Sequence, residues 1–506
     1  MQALRRNPTI GRRDLLKLGS CGLIAVAVGE SLCGGKWALA GGPAKTSGNQ
    51  QGGMALVIKN GKAFIEGRWQ TLDIGITDQG RLHISQLPLF GRSMIDASHK
   101  IVSAGFIDIL GDNSSSPERT YRIFEKYKVT DGVTTVLQMH GGADEIRKYY
   151  TEFGKRPHWT NYGVSTKVMR IRQLYQTLRE RCRRIERCLD EGALGVSHSI
   201  EYQPDTSWEE LVEYARLARK YERPLFLHLR YSSAEKELEG VEEAIELARV
   251  TGVRIHIDHL HSTGGTYHMA EALQRIRNAI QAGLEITTCV YPYDYWATYL
   301  HSERFAPGWQ DRFHLTYSDL EIVGTGERLT AESFEKYRKQ PGILVAVPRG
   351  TMPLETTVDL ALQEDFCLVS SDGGIQSEPR ANSHPRGAGC FATAIRRAID
   401  IQMSLEKMLE KVTLLPRRVL RPALDQRGIL EEGAVADLTL FDPDQINGAA
   451  TNENPNQFSR GIHTVIVNGS VAYHQGKLQM EKGQPIAMKP YDRKREFLFE
   501  ERRRKP

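Results

Sequence analysis

Several histidines and one aspartate stand where short apolar segments of the sequence end. "VLQMHGG" contains His140, "LFLHLR" contains His228, and "HIDHLHSTGG" contains His259 and His261. "LVSSDGG" contains Asp372. Imidazoles and a carboxylate are zinc ligands, and a catalytic zinc ion typically has three protein ligands and one open position. The pattern therefore predicts a metal site that can activate water for attack on a carbonyl group.

The segments between these residues predict a parallel β/α barrel. Apolar strand candidates, among them "GVTTVLQM", "PLFLHLR" and "FCLVSSDG", alternate with helical stretches over roughly 250 residues. The helical stretches are 170–191, 207–221, 235–251, 268–282 and 389–411. In such a barrel the carboxyl ends of the strands meet at one face, so the histidines and Asp372 are expected to lie together.

Both ends of the chain have a different pattern. Residues 54–100 and 426–485 contain short alternating runs such as "ALVIKNGKAFIEG" and "HTVIVNGSVAYHQGK", with Asn60-Gly61 as one turn pair. These runs predict antiparallel strands. We expect the two regions to pair into one small β-sandwich, with the barrel, residues 101–425, inserted between them.

The N-terminus predicts an export signal. Arg12 and Arg13 precede a short apolar run, and "ALA" at 38–40 precedes Gly41, as in a twin-arginine (Tat) signal peptide. The apolar run is too short to span about 30 Å of hydrocarbon, so cleavage is favoured over a retained membrane anchor. We expect 1–40 to be the signal, 41–53 a linker, the Tat machinery a partner, and the mature protein periplasmic or extracellular, without a stable membrane span.

Charge and cysteine content exclude two other classes. The net charge is +5 and the pI about 8.7, but basic residues do not interleave with aromatic ones, so no nucleic-acid partner is expected. The basic tail, 486–506, is interpreted as solvated. The cysteines beyond residue 40 are odd in number and scattered, which does not indicate a disulfide framework. They are Cys182, Cys188, Cys289, Cys367 and Cys390.

Longer motifs resemble the amidohydrolase superfamily and, within it, the N-acyl-D-amino-acid deacylases (D-aminoacylases). "GALGVSHSIEYQP", "SSDGG…SHPRGAG" and "RGILEEGAVADLTLFDP" carry the resemblance, which runs over roughly 54–485. It implies a (β/α)8 barrel resembling a TIM barrel, with a β-sandwich built from both chain ends. It also implies that residues 303–340 form a lid over the site; a plain crossover with an extra helix is the alternative.

The resemblance implies a metal site that departs from the family pattern. His228 and His259 match metal-binding histidines, and His140 stands where the family has a ligand cysteine. Leu110 and Asp112 occupy the places of a His-x-His pair that mainly serves a second metal position. We predict one zinc ion held by three histidines, with another divalent metal as the alternative; Asp112 could still approach the ion.

Further residues take catalytic and substrate-binding roles from the resemblance. Asp372 matches a catalytic acid/base that can also touch the metal. Arg386 of "SHPR" matches an arginine that binds the substrate carboxylate, which a guanidinium can grip with two hydrogen bonds. Tyr291 and Tyr202 are candidate substrate hydrogen-bond donors. His261 replaces a family lysine and is assigned to substrate or solvent, or alternatively to a His259-x-His261 ligand pair.

Together these residues predict a metal-dependent hydrolase of a linear amide, an N-acylated amino acid of D configuration. Cyclic amides and acylated peptide fragments are alternative small-molecule substrates. A non-catalytic, metal-free binding protein is a further alternative. Asp372 argues against it, because a binding protein does not need an acid/base beside three histidines.

Overall fold

The computed structural model describes residues 53–111, 117–323, 325–373 and 384–489. The export signal expected at 1–40, most of the linker, Asp112 and the tail from residue 490 lie outside these ranges. Within these ranges, no helix is long and apolar enough to cross a membrane.

Strands and helices are numbered in chain order. The strands are β1 (Met54–Ile65), β2 (Arg68–Ile76), β3 (Leu82–Ser85), β4 (Gly91–Asp96), β5 (Ile101–Ala104), β6 (Phe106–Asp108), β7 (Val133–Ala143), β8 (Asn161–Lys167), β9 (Val196–Ser199), β10 (Leu225–His228), β11 (Ile255–Ile257), β12 (Ile286–Val290), β13 (Ala297–Tyr299), β14 (Glu321–Ile322), β15 (Glu327–Arg328), β16 (Leu344–Ala346), β17 (Cys367–Val369), β18 (Leu438–Phe441), β19 (Ile462–Val467), β20 (Ser470–His474) and β21 (Lys477–Leu478). The helices are α1 (Pro117–Thr130), α2 (Ile146–Phe153), α3 (Val168–Leu174), α4 (Leu178–Asp190), α5 (Trp208–Lys220), α6 (Glu237–Thr251), α7 (Met269–Gln281), α8 (Trp309–Phe313), α9 (Ala331–Arg338), α10 (Val358–Gln363), α11 (Arg386–Asp400), α12 (Leu405–Val412) and α13 (Leu414–Val419).

In the part of the chain that the structure describes, eight parallel strands form the barrel. Their order is β6-β7-β8-β9-β10-β11-β12-β17, and each pairs in parallel with its neighbours. Side chains link the first and last strands: Ser370 Oγ donates to Asp108 Oδ1 at 2.7 Å, and the Ser371 backbone N–H donates to the same oxygen at 3.0 Å. The sheet is therefore nearly closed.

The helices follow the sequence pattern, with local capping setting their ends. Stretches 207–221, 235–251 and 268–282 form α5, α6 and α7, as expected. The stretch 170–191 divides into α3 and α4, since Thr177 and Glu180 form a capping box that starts a new helix. The stretch 389–411 divides for the same reason, because Ser404 caps α12.

Apolar side chains fill the barrel interior. Leu110, Leu137 and Phe226 are fully buried there. The barrel is therefore packed below the strand ends, as in other barrels of this architecture. One charged pair is also fully buried: Lys128 of α1 lies 2.8 Å from Asp108.

A nine-stranded sheet of the described residues joins both chain ends. Its order is β21-β20-β19-β18-β5-β1-β2-β3, with β4 also paired to β1. The join is antiparallel pairing between β18 and β5, with Leu438 opposite Ala104 and Phe441 opposite Ile101. Strand β5 lies at the expected start of the barrel but pairs within this sheet. The fold class predicted from sequence, a β/α barrel with an additional sheet domain, is confirmed.

A second, smaller sheet follows barrel strand β12. Its order is β13-β16-β14-β15, and residues 297–346, which contain it, are called the insert below. The insert includes the segment 303–340 expected to form a lid. Several of its residues border the site described next.

Candidate metal centre

Three histidines from different barrel strands meet at the carboxyl ends of the strands. His140 lies in β7, His228 ends β10, and His259 follows β11. Their ring centroids are 4.9 to 5.6 Å apart. One ligand atom from each lies within 4.8 Å of the others. This spacing suits a single cation held by three imidazoles.

Each of the three rings is held by a polar partner through the nitrogen that faces away from the centre. The partners and distances are Asp258 Oδ2 to His140 Nδ1 at 2.7 Å, Glu201 Oε2 to His228 Nε2 at 2.7 Å, and Ser262 Oγ to His259 Nδ1 at 2.9 Å. Of the remaining nitrogens, His228 Nδ1 lies 3.3 Å from His259 Nε2. Such outer partners fix the tautomer and orientation of metal-binding histidines. The donor set therefore fits a divalent metal ion.

Burial and charge set the protonation of these rings. Burial lowers the pKa of His228, and it lowers that of His259 well below its usual value. Burial also works against a proton on His140, but the hydrogen bond and charge of Asp258 outweigh it and raise the pKa of His140. His228 and His259 are therefore neutral near pH 7, the form in which imidazole binds metal.

Two residues beside the centre have strained backbones. His259 has φ +25° and Asp372 has φ +46°, both in the region that L-residues rarely adopt. Each follows the end of a barrel strand, and such strain is concentrated at functional sites. Asp372 Oδ2 lies 3.9 Å from His259 Nε2 and 3.0 Å from Arg386 Nη2. The structure therefore brings Asp372 to the edge of the three-histidine cluster.

Arg386 lies at the start of α11 and faces the same space. Its guanidinium carbon is 4.7 Å from the ring centroid of Tyr291, and its Nη2 donates to the Ala297 carbonyl at 3.3 Å. Its Nε and Nη1 atoms are buried and have no hydrogen-bond partner among the described residues. Arg386 therefore has donors available for a ligand.

Tyr202 and His261 are the other two candidate substrate residues. The Tyr202 hydroxyl lies 3.1 Å from Thr298 Oγ1, and its ring centroid is 4.8 Å from that of His228. His261 is fully buried, 4.1 Å from the Tyr291 ring centroid. Burial lowers the pKa of His261 to about 3, so this ring offers a neutral hydrogen-bonding group and no positive charge.

The backbone at His261 differs from the expected strand. Strand β11 ends at Ile257, and Leu260–Ser262 form a 3₁₀ turn, so strand alternation does not hold between His259 and His261. His261 lies outside the three-histidine cluster. Of the first-strand positions, Leu110 is fully buried among the apolar side chains of the barrel interior, and Asp112 is outside the described residues.

A cavity of about 330 Å³ opens beside the three histidines. The barrel contributes Asp372, Arg386, Tyr202 and Tyr291 to its lining. The insert and the residues flanking it contribute an aromatic and apolar side, which is Trp296, Ala297, Tyr299 and Leu344. The volume is within the range of small-molecule sites.

Sequence reasoning missed four residues that hold this site: Glu201, Asp258, Ser262 and Arg304. Glu201 and Asp258 are adjacent in sequence to residues that were singled out, Tyr202 and His259. Burial works against charge on Glu201, but Arg304 and the hydrogen bond from His228 hold its pKa below the usual value. A carboxylate adjacent in sequence to a candidate site residue was the available signal.

A model of the Amidohydrolase family matches residues 102–472. The chain therefore belongs to the amidohydrolase family, and the resemblance inferred from its motifs is confirmed.

Among characterised relatives, the chain is 30% identical to N-acyl-D-glutamate deacylase of Alcaligenes xylosoxydans xylosoxydans over 303 residues, covering 57% of this chain and 59% of that protein. It thus spans about three fifths of the length of the deacylases it matches. It is 24% identical to dihydroorotase of Lactobacillus delbrueckii subsp. bulgaricus over 470 residues, covering 84% of this chain and all of that one.

Its fold is similar to that of N-acyl-D-glutamate deacylase from Bordetella bronchiseptica, whose crystal structure contains zinc and a phosphonate inhibitor. The TM-score is 0.73 at 23% identity, covering 86% of this chain and 100% of that chain. At this identity the similarity shows the fold alone.

Proposed function

We propose that the protein is a metal-dependent hydrolase of a linear amide, with an N-acylated amino acid of D configuration as its substrate. The observation that carries the proposal is the meeting of three oriented histidines, Asp372 and Arg386 around one cavity. Family membership and the similarity to deacylases support the reaction class.

One zinc ion at the three histidines is the proposed cofactor. His140, His228 and His259 supply three imidazole nitrogens beside the cavity, and Leu110 offers no ligand for a second ion. When bound, zinc would act as a Lewis acid toward the amide carbonyl and make a water molecule more acidic.

Asp372 is the proposed proton carrier. Its carboxylate lies beside the cluster and borders the cavity, so it can take a proton from the attacking water and deliver it to the departing amine nitrogen. The ion pair with Arg386 holds this carboxylate in place. The free donors of Arg386 would bind the substrate carboxylate, with Tyr291 at their side.

Cyclic amides are the second candidate substrates, favoured by the similarity to dihydroorotases over most of the chain. A metal-free binding protein is disfavoured, because the polar partners of all three histidines hold their nitrogens toward one centre.

The test is metal content followed by a substrate panel. Purified wild-type protein should contain about one zinc per chain, and His140→Ala should contain much less. The wild type should hydrolyse N-acetyl-D-amino acids faster than their L enantiomers or dihydroorotate. Preference for dihydroorotate would move the assignment to cyclic amides. Absence of metal after zinc is supplied would eliminate the hydrolase.

We also propose Tat export, supported by Arg12 and Arg13 before the short apolar run. Cell fractionation tests it: Arg12→Lys/Arg13→Lys should leave the protein in the cytoplasm, while wild type reaches the periplasm. Export of both at equal levels would contradict it.

A further inference from the structure

The guanidinium of Arg304 lies between the insert and the metal centre. Arg304 belongs to the 3₁₀ turn Glu303–Phe305 of the insert and is 4% exposed. Its guanidinium carbon lies 4.0 Å from the ring centroid of Trp296 and 5.3 Å from that of Phe313. Its carbonyl accepts a hydrogen bond from Arg312 Nη2 at 3.3 Å. Trp296, just before the insert, and Phe313 within it therefore both pack against this guanidinium.

One contact of Arg304 leads to His259. Arg304 Nη2 donates to the Ser262 carbonyl at 2.7 Å. The hydroxyl of the same serine lies 2.9 Å from His259 Nδ1, and the Ser262 backbone N–H donates to the His259 carbonyl at 2.9 Å. Arg304 thus holds the turn that orients His259.

A second contact leads to His228. Arg304 Nη1 lies 3.8 Å from Glu201 Oε2, the atom that contacts His228 Nε2 at 2.7 Å. Ser232 donates a further hydrogen bond to Glu201. Arg304 therefore contacts both Ser262 and Glu201, the polar partners of His259 and His228.

We propose that Arg304 is a positioning residue of the metal centre, and that the insert is part of that centre as well as a wall of the cavity. The proposal rests on the metal site of the proposed function. It does not rest on the substrate, because Arg304 acts through Glu201 and Ser262. The competing assignment is that Arg304 binds an anionic group of the substrate, since its Nε atom is buried without a hydrogen-bond partner among the described residues.

The experiment measures zinc and cobalt binding to full-length protein stripped of metal. Arg304→Gln should raise the zinc dissociation constant, measured by competition with a chromogenic chelator, by about 10- to 100-fold. The visible absorption of bound Co²⁺ should change as well, because it reports ligand geometry. Arg304→Lys should recover part of the affinity, since it keeps the charge but loses the fork that reaches both partners.

Arg328→Gln is the matched control. Arg328 lies in the same insert and is about half exposed, and its side chain contacts the Asp319 carbonyl and the Glu321 carboxylate. It should bind zinc within about twofold of wild type. Glu201→Gln tests the route of action: the double variant Glu201→Gln/Arg304→Gln should lose less zinc affinity than the sum of the single losses.

Unchanged zinc affinity and cobalt spectrum in Arg304→Gln, with a raised KM, would overturn the proposal and assign Arg304 to the substrate. If Arg304→Gln does not fold, Arg304→Lys decides: a zinc affinity and a cobalt spectrum equal to those of wild type would overturn the proposal, because lysine lacks the fork that reaches both partners. Because metal binding is measured without any amide substrate, the result for Arg304 does not depend on whether the proposed substrate class is correct.

Discussion

The Nδ1 atom of His140 lies 2.7 Å from Oδ2 of Asp258, across the top of the barrel from strand β7 to the residue after β11. Asp258 is 1% exposed, so this carboxylate is buried in the interior. The contact occupies Nδ1 of His140 and leaves Nε2 as the ring nitrogen that can bind a metal ion. This carboxylate would therefore orient His140 in its proposed role as a metal ligand, at a position where the family resemblance implies a cysteine.

We expect Asp258→Asn to weaken zinc binding by about 10- to 100-fold, because the amide is a poorer acceptor for the ring N–H. Chelator competition measures the effect. Asp365→Asn, at a side chain 91% exposed, is the control and should bind zinc like wild type. Equal affinities in all three proteins would mean that Asp258 does not position His140.

Zinc should stabilise the fold. At a free zinc concentration 100 times the dissociation constant, the free energy of unfolding should rise by about 2.7 kcal/mol, provided that the unfolded chain does not bind zinc. Urea titrations of stripped and reloaded protein measure the difference. His228→Ala should show no such increment, and an increment as large as that of wild type would place the ion elsewhere.

Asp372→Asn should lower kcat by about 10²- to 10⁴-fold, because an amide cannot carry the proton. Zinc affinity and KM should change far less, since the three histidines keep their own partners. Steady-state kinetics with an N-acetyl-D-amino acid measures this. A kcat close to that of wild type would remove Asp372 from the proton pathway.

Arg386→Met should lower kcat/KM for an N-acyl amino acid by about 10- to 100-fold, as expected for loss of hydrogen bonds between charged groups. Because Arg386 also pairs with Asp372, a second substrate is needed to isolate carboxylate binding. The matching N-acylamine, which lacks the carboxylate, should be hydrolysed at a rate that the substitution changes less. Equal losses on both substrates would show that Arg386 acts only through Asp372.

Lys128→Met should destabilise the protein by about 3–5 kcal/mol, because it leaves Asp108 charged and unpaired in the interior. Asp108 also accepts hydrogen bonds from Ser370 and Ser371, so the substitution should also weaken the contacts between β6 and β17. Urea unfolding measures the cost. Lys126→Met, on the same helix but partly exposed, should cost less than about 1 kcal/mol. Equal losses in the free energy of unfolding for the two variants would mean that the buried pair of Lys128 and Asp108 does not stabilise the protein more than a surface lysine does.

The sequence predicted the barrel and the meeting of its strand-end residues because one rule governs both: parallel strands bring their carboxyl ends to one face. That rule selected His140, His228, His259, His261 and Asp372 as a group, and the family resemblance then separated the candidate ligands from His261. Their spacing to one another could not be predicted, because it depends on side-chain rotamers and on the strained backbone at His259 and Asp372.

Arg304 and Glu201 could not be predicted. Arg304 reaches the centre through the path of the insert, which has no regular hydrophobic period, and Glu201 lies in a 3₁₀ turn after β9. For His261, the sequence suggested a position that the structure does not show. A strand pattern would place it beside His259, but the strand ends at Ile257 and the turn that follows carries the ring to Tyr291.

The pairing of β5 with β18 has a consequence for biosynthesis. A ribosome delivers β5 early and β18 late, so the growing chain must hold one edge of β5 without its partner while the whole barrel sequence is made. An unpaired strand edge is prone to join other chains. Strand β18 thus covers an edge of β5 that is synthesised much earlier, and a chain truncated before Leu438 would keep that edge of β5 unpaired even if its barrel had folded.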